Sequence, residues 1–128
     1  GHLHILLAED NALNQEIAQM LLTSKGANLD IVSNGQEAVD KFEASKPGTY
    51  QLILMDIRMP VMNGYTAAEK IRHSQHPDGA DIPIIAMTAD AYEDDIKHCM
   101  AVGMNGHISK PINPDKLYNE IAKCCNGI

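Results

Sequence analysis

The sequence predicts an α/β protein, a three-layer sandwich in which a five-stranded parallel sheet of order 2-1-3-4-5 is covered by five helices. Two observations carry the class, and the order is the flavodoxin-like one of open α/β sheets. Short apolar runs alternate with helix-period segments along the whole chain, the pattern of a parallel sheet with right-handed crossovers. Most of the runs are too apolar for half-exposed strands, so the sheet is expected to be covered on both faces.

Strands are expected at residues His4–Ala8 (HILLA), Asn28–Val32 (NLDIV), Leu52–Met55, Ile82–Met87 (IPIIAM) and Gly106–Ile108. The first helix is expected from Asn11 to Ser24. Its residues Leu13, Ile17, Met20 and Leu21 recur at i, i+4, i+7 and i+8, one stripe that is assigned to the core. Ala18 and Leu22 then point outward and form a candidate partner surface. The second helix, Gly35 to Ala44, follows Asn34, a good N-cap, with Glu37 three residues on. A third spans Gly64 to His73 and a fourth Ala91 to Val102. The fifth starts in INPDKL, where Asn113 caps, Pro114 takes the first helical position and Ile112 packs on Leu117.

The 128 residues suit one domain, 1–128, with Gly1 and His2 set aside as an expression remnant. Ten basic against 17 acidic residues leave a formal charge of −7, which argues against direct nucleic-acid contact. No apolar run approaches the roughly 20 residues of a membrane span, so no direct membrane contact is expected. No secretory leader is visible. Cys99, Cys124 and Cys125 are an odd set with two neighbours, which reads as reduced thiols of a cytoplasmic protein. Cys124 and Cys125 are expected in or near the core.

In an open α/β sheet, ligands sit beyond the carboxyl ends of the strands. The first strand ends in Glu9 and Asp10, the third in Asp56, the fourth in Thr88 and the fifth in Ser109 and Lys110. In the expected order, the first and third strands are neighbours, so their carboxylates converge. Like charges so close call for a neutralising partner. A hard divalent cation with oxygen ligands and open water positions, Mg²⁺, suits them. No GxxxxGK[ST] and no GxGxxG motif is present. A cation, a lysine, a hydroxyl and a carboxylate are the parts of phosphoryl transfer in which the carboxylate itself accepts the phosphoryl group. Asp56 is then the acceptor, with Lys110 and Thr88 on phosphoryl oxygens. Two other readings stay open: a Mg²⁺-dependent hydrolase working through an aspartyl phosphate, and an α/β domain whose acidic residues merely cap helices.

From Leu3 to Cys125 the chain resembles the receiver domain of two-component signalling, through ILLAEDN, LILMDIRMPVMNG, IIAMTA and GHISKP in that order. The resemblance implies a flavodoxin-like fold, with Glu9 and Asp10 as the metal-binding pair and Asp56 as phosphoacceptor. It implies Thr88 as the switch hydroxyl, Lys110 as the family's lysine, the backbone carbonyl of Arg58 as a further metal ligand, and a cis bond between Lys110 and Pro111. LLAEDNALNQEIAQMLL and MDIRMPVMNGYTAAEKIR look most like receivers of hybrid sensor histidine kinases. Such receivers take phosphate from a kinase histidine and relay it to a histidine phosphotransfer domain, and the first helix commonly meets the partner. The resemblance also implies no metabolic activity for the isolated domain, beyond helping its own phosphorylation and dephosphorylation. The chain is expected as a monomer or weak dimer. It is expected to be an excised receiver, the cytoplasmic part of a membrane-anchored sensor kinase, or a stand-alone response regulator.

Two positions depart from the family pattern. His107 stands where a Tyr or Phe commonly serves the switch. Its smaller, titratable ring implies a weak or pH-dependent switch. Arg58 and Asp90 each lie two residues beyond a site residue and are expected to pair across the acyl phosphate, slowing its hydrolysis. The hydrolase reading is weakened by Arg58, which occupies the place where those enzymes carry a second carboxylate.

Overall fold

The computed structural model describes residues 3–89 and 93–125. The strands are β1 (His4–Ala8), β2 (Asn28–Val32), β3 (Leu52–Asp56), β4 (Ile84–Thr88) and β5 (Gly106–Ser109), and the helices α1 (Ala12–Thr23), α2 (Gly35–Ala44), α3 (Gly64–Arg72), α4 (Glu93–Ala101) and α5 (Pro114–Cys125). All strand pairs are parallel and the order is β2-β1-β3-β4-β5. That is the expected flavodoxin-like arrangement.

Strand alternation builds the two cores. Ile5 and Leu7 of β1, Leu52 and Leu54 of β3, and Ile85 and Met87 of β4 face Ala18 and Leu22 of α1 and Leu117 and Ile121 of α5. Leu6 and Ala8, Ile53 and Met55, and Ile84 and Ala86 face the other way, toward Val39 and Phe42 of α2 and Ala68 and Ile71 of α3. The central strands β3 and β4 are buried along their whole length.

Side-chain caps set the helix starts. Asn11, Asn34 and Asn63 accept hydrogen bonds from the backbone N–H groups of Asn14, Glu37 and Thr66. Asn113 Oδ1 does the same for Lys116, 3.1 Å away, with Pro114 opening α5 as expected. β4 begins at Ile84 rather than Ile82, because Pro83 has no N–H to give the ladder. α4 is described from Glu93, so the expected start at Ala91 lies outside the described residues.

The expected face of α1 is wrong. Ala18 and Leu22 are 1% and 0% exposed and pack on the sheet, whereas Leu13 and Met20 are 63% and 64% exposed. Ala18 and Leu22 therefore offer no partner surface. The helix carries two apolar stripes. The one that faces the sheet, running from Gln15 through Ala18 to Leu22, is diluted by a polar residue and a small one. Small Ala18 lets the helix sit close to the sheet; Leu13 and Met20 are left in solvent, while Ile17 and Leu21 are half-buried, Leu21 against the core as expected.

Candidate functional site

The carboxyl edge of the sheet gathers the polar ends of four strands. Beyond the last residue of β1, Glu9 still donates its N–H to the Val32 carbonyl of β2, 3.1 Å away. Ile57 N–H bonds to Met87 O at 3.1 Å and Lys110 N–H to Thr88 O at 2.7 Å, so β3, β4 and β5 stay in register up to the site. Gly64, at the start of α3, lies directly over the end of β3. A Cβ there would meet the Asp56 carbonyl oxygen at 2.3 Å, which only glycine avoids.

Asp56 and Glu9 are buried, at 3% and 0% exposure. Lys110 Nζ lies 2.8 Å from Asp56 Oδ2 and 2.9 Å from Glu9 Oε1. Burial works against the Lys110 ammonium, but the two carboxylates outweigh it and move its pKa up, so it stays charged. Asp56 Oδ1 accepts the Arg58 N–H at 3.2 Å, and Glu9 Oε2 accepts the Asn11 N–H at 3.1 Å. The contact of Glu9 Oε1 with Lys110 lacks hydrogen-bond geometry, so among the described residues this buried oxygen has no hydrogen-bond partner.

Carboxylate oxygens of Glu9, Asp10 and Asp56 lie within 4.8 Å of one another. Three carboxylates cluster beside one ammonium, and one buried oxygen has that ammonium's charge but no hydrogen bond. Such an all-oxygen cluster fits a hard divalent cation, with the exposed Asp10 leaving room for water ligands.

Residues 5–122 match the family model of the response regulator receiver domain. The chain belongs to this family. The receiver is 40% identical over 119 residues to hybrid signal transduction histidine kinase I of Dictyostelium discoideum. That match takes in 91% of the chain but only 7% of the kinase. Among solved structures it resembles the receiver domain of sensor histidine kinase PA1611 from Pseudomonas aeruginosa PAO1, which holds a magnesium ion in its active-site cleft. The TM-score is 0.86 at 35% identity, over 99% of this chain and 100% of that one. It also resembles the Ssk1 receiver domain of Saccharomyces cerevisiae, solved with the histidine phosphotransfer protein Ypd1. There the TM-score is 0.84 at 30% identity, over 98% of this chain and 90% of that one.

The receiver fold thus brings Glu9, Asp10, Asp56 and Lys110 into one cluster. Thr88 ends β4 beside it, buried, its hydroxyl 3.4 Å from the Ile108 carbonyl as donor. The Lys110–Pro111 bond is cis. His107 is half-buried on β5 and lines a groove with Lys116, Glu120 and Lys123. Arg58 is exposed. Asp90, and with it the expected pair with Arg58, lies outside the described residues. No helix among the described residues is long and apolar enough to cross a membrane. Sequence reasoning missed Gln15, whose Nε2 donates to the Glu9 carbonyl at 2.6 Å. An amide in the first turn after an acidic pair was the available signal.

Proposed function

We propose that this receiver is a phosphorylation switch of a hybrid sensor histidine kinase, acting in the cytoplasm. An Asp56 carboxylate oxygen attacks the phosphorus of a phosphohistidine. The new O–P bond forms as the P–N bond breaks, and the electron pair returns to the imidazole nitrogen. The product is an acyl phosphate, and a histidine phosphotransfer domain takes the group onward. The observation that carries this reading is the buried Asp56 held 2.8 Å from Lys110. Lys110 keeps the carboxylate aimed out of the sheet and is placed to follow the phosphoryl charge. Thr88 offers its hydroxyl to a phosphoryl oxygen. Glu9, Asp10, Asp56 and the Arg58 carbonyl would hold Mg²⁺, which when bound neutralises the carboxylates and the incoming phosphoryl oxygens.

The test is intact-mass spectrometry after incubation with Mg²⁺ and acetyl phosphate. One phosphoryl adduct is expected, absent without Mg²⁺ and absent in Asp56→Asn. An adduct that persists in Asp56→Asn places the acceptor elsewhere. The exposed stripe of Leu13 and Met20 on α1 supports docking of a helical partner there. Leu13→Glu should weaken capture of a phosphotransfer domain without slowing phosphorylation by acetyl phosphate. Arg58 shields the acyl phosphate from water, so Arg58→Ala should shorten its lifetime; an unchanged lifetime removes that role. His107 stands in for the switch aromatic, and His107→Tyr should change partner affinity.

A further inference from the structure

Glu9 stands where the chain has left the sheet and not yet entered α1. Its N–H makes a last sheet-type bond, 3.1 Å to Val32 O. The first helical bond runs from Gln15 N–H to Asn11 O, 3.0 Å. The Glu9 carbonyl falls between the two ladders, and a buried carbonyl needs a donor. Gln15, half-buried on the sheet-facing side of α1, folds its side chain back and supplies one at 2.6 Å. Asn11 N–H holds Oε2 at 3.1 Å. Glu9 is thus tied at its N–H, its carbonyl and one carboxylate oxygen, while the other oxygen is ion-paired with Lys110 Nζ at 2.9 Å within the acidic cluster.

The carbonyl that Gln15 holds belongs to the peptide joining Glu9 to Asp10. A peptide is planar, so fixing its oxygen fixes ψ of Glu9 and φ of Asp10 together. Those two angles set the direction in which the exposed Asp10 carboxylate leaves the backbone. The rest of the stripe, Ala18 and Leu22, is buried and apolar, so the amide interrupts it at the one turn that reaches the acidic pair.

We propose that Gln15 is a positioning residue for cation binding, holding the Glu9–Asp10 peptide so that both carboxylates aim at one divalent cation. This rests on the reading of Glu9, Asp10 and Asp56 as a cation site. Groups that orient metal ligands typically account for about 10- to 100-fold in metal affinity.

The test measures Mn²⁺ binding to the unphosphorylated protein by the electron paramagnetic resonance of free Mn²⁺, beside thermal midpoints in chelator. Gln15→Leu keeps the length and loses the donor. Gln15→Asn keeps an amide that is too short to reach, and it serves if the leucine variant does not fold. Both variants are expected to bind Mn²⁺ about tenfold or more weakly than wild type. Affinity within about twofold of wild type, with only the midpoint in chelator lowered, makes Gln15 merely structural and overturns the proposal. Wild-type protein that binds no Mn²⁺ removes the cation reading and this inference together. Wild-type binding with unaltered variants removes the inference alone.

Discussion

The two ends of the same sheet treat their polar groups in opposite ways. Toward the amino edge, donors and acceptors are matched to each other. Tyr50 O–H donates to Asp30 Oδ2 at 2.6 Å, and His4 Nε2 reaches the same oxygen at 3.0 Å. Arg72 donates to the Gly103 carbonyl at 2.9 and 2.8 Å, to Gly79 O at 3.0 Å and to Asn105 Oδ1 at 2.8 Å. His76 is held at both ring nitrogens, by Ser45 O at 2.9 Å and the Asp78 N–H at 3.0 Å. At the carboxyl edge, three carboxylates share one ammonium and a buried oxygen goes without a hydrogen bond. Buried polar groups are ordinarily satisfied. Polar residues crowd both ends, but unspent binding capacity is found beside Asp56, and that capacity marks the working end.

The largest effect should come from removing the charge on which the working end depends. In chelator, Lys110→Ala leaves two buried carboxylates without their cation, and breaking such a pair costs about 4 kcal/mol. Urea unfolding in EDTA measures it, and a loss below about 1 kcal/mol would mean that the carboxylates are far better solvated than their burial indicates. Mg²⁺ at about 100 times its dissociation constant should return about 2.7 kcal/mol. The same addition should do nothing for variants of the amino edge beyond what it does for wild type.

Arg72→Ala is the matching test at that edge. It strands the Gly79 and Gly103 carbonyls and should cost about 3 kcal/mol, since hydrogen bonds from a charged donor count for more than neutral ones. Burial lowers the Arg72 pKa, with Asp81 opposing it, which is the mark of a guanidinium drawn in among carbonyls. Gly103, at φ +92°, brings the turn before β5 so close that a Cβ would lie 3.0 Å from Arg72 Cγ. The variant that remains folded should accept the phosphoryl group from acetyl phosphate at the wild-type rate. A markedly slower acceptance in the folded variant would erase the division between the two ends.

Much of the working end was legible because strand ends are legible. β1, β2 and α2 have the bounds that their apolar runs and caps predict. Alternation gives the parallel sheet, and in the flavodoxin-like order Glu9, Asp10, Asp56, Thr88 and Lys110 come together at its carboxyl edge. The face of α1 was not legible in that way. Leu13 and Met20 lie on the outer side, Leu21 only flanks the core, and the inner stripe begins with Gln15, whose amide serves a carbonyl instead of the core. Periodicity counts side-chain type and is blind to a side chain folding back on the main chain. The Arg72 clasp is hidden for a related reason. It joins positions 31 and 33 residues apart, and no local pattern records such a bond.

The smallest effect, and the one most specific to the amino edge, belongs to Tyr50→Phe. The Tyr50 hydrogen bond lowers the Asp30 pKa against the opposing influence of burial, with His4 and Lys41 adding to the lowering. A carboxylate whose folded pKa lies below its unfolded one stabilises the fold above about pH 4 and loses that contribution as pH falls through the folded value. Removing the hydroxyl should cost about 1 kcal/mol near neutrality, at the low end because the Asp30 side chain is 35% exposed and water screens it. The gap between variant and wild type should then narrow below about pH 4. Urea unfolding from about pH 3 to about pH 7 reads the difference directly. A gap that stays constant over that range would mean that Asp30 is not the charge the hydroxyl serves. Burial, seconded by Asp30, holds the Tyr50 hydroxyl above the ordinary phenol range. Its own contribution therefore persists up to about pH 10 and fades beyond it. Phosphoryl acceptance should be indifferent to this substitution, because the pair it breaks lies toward the other end of the sheet from Asp56 and Lys110.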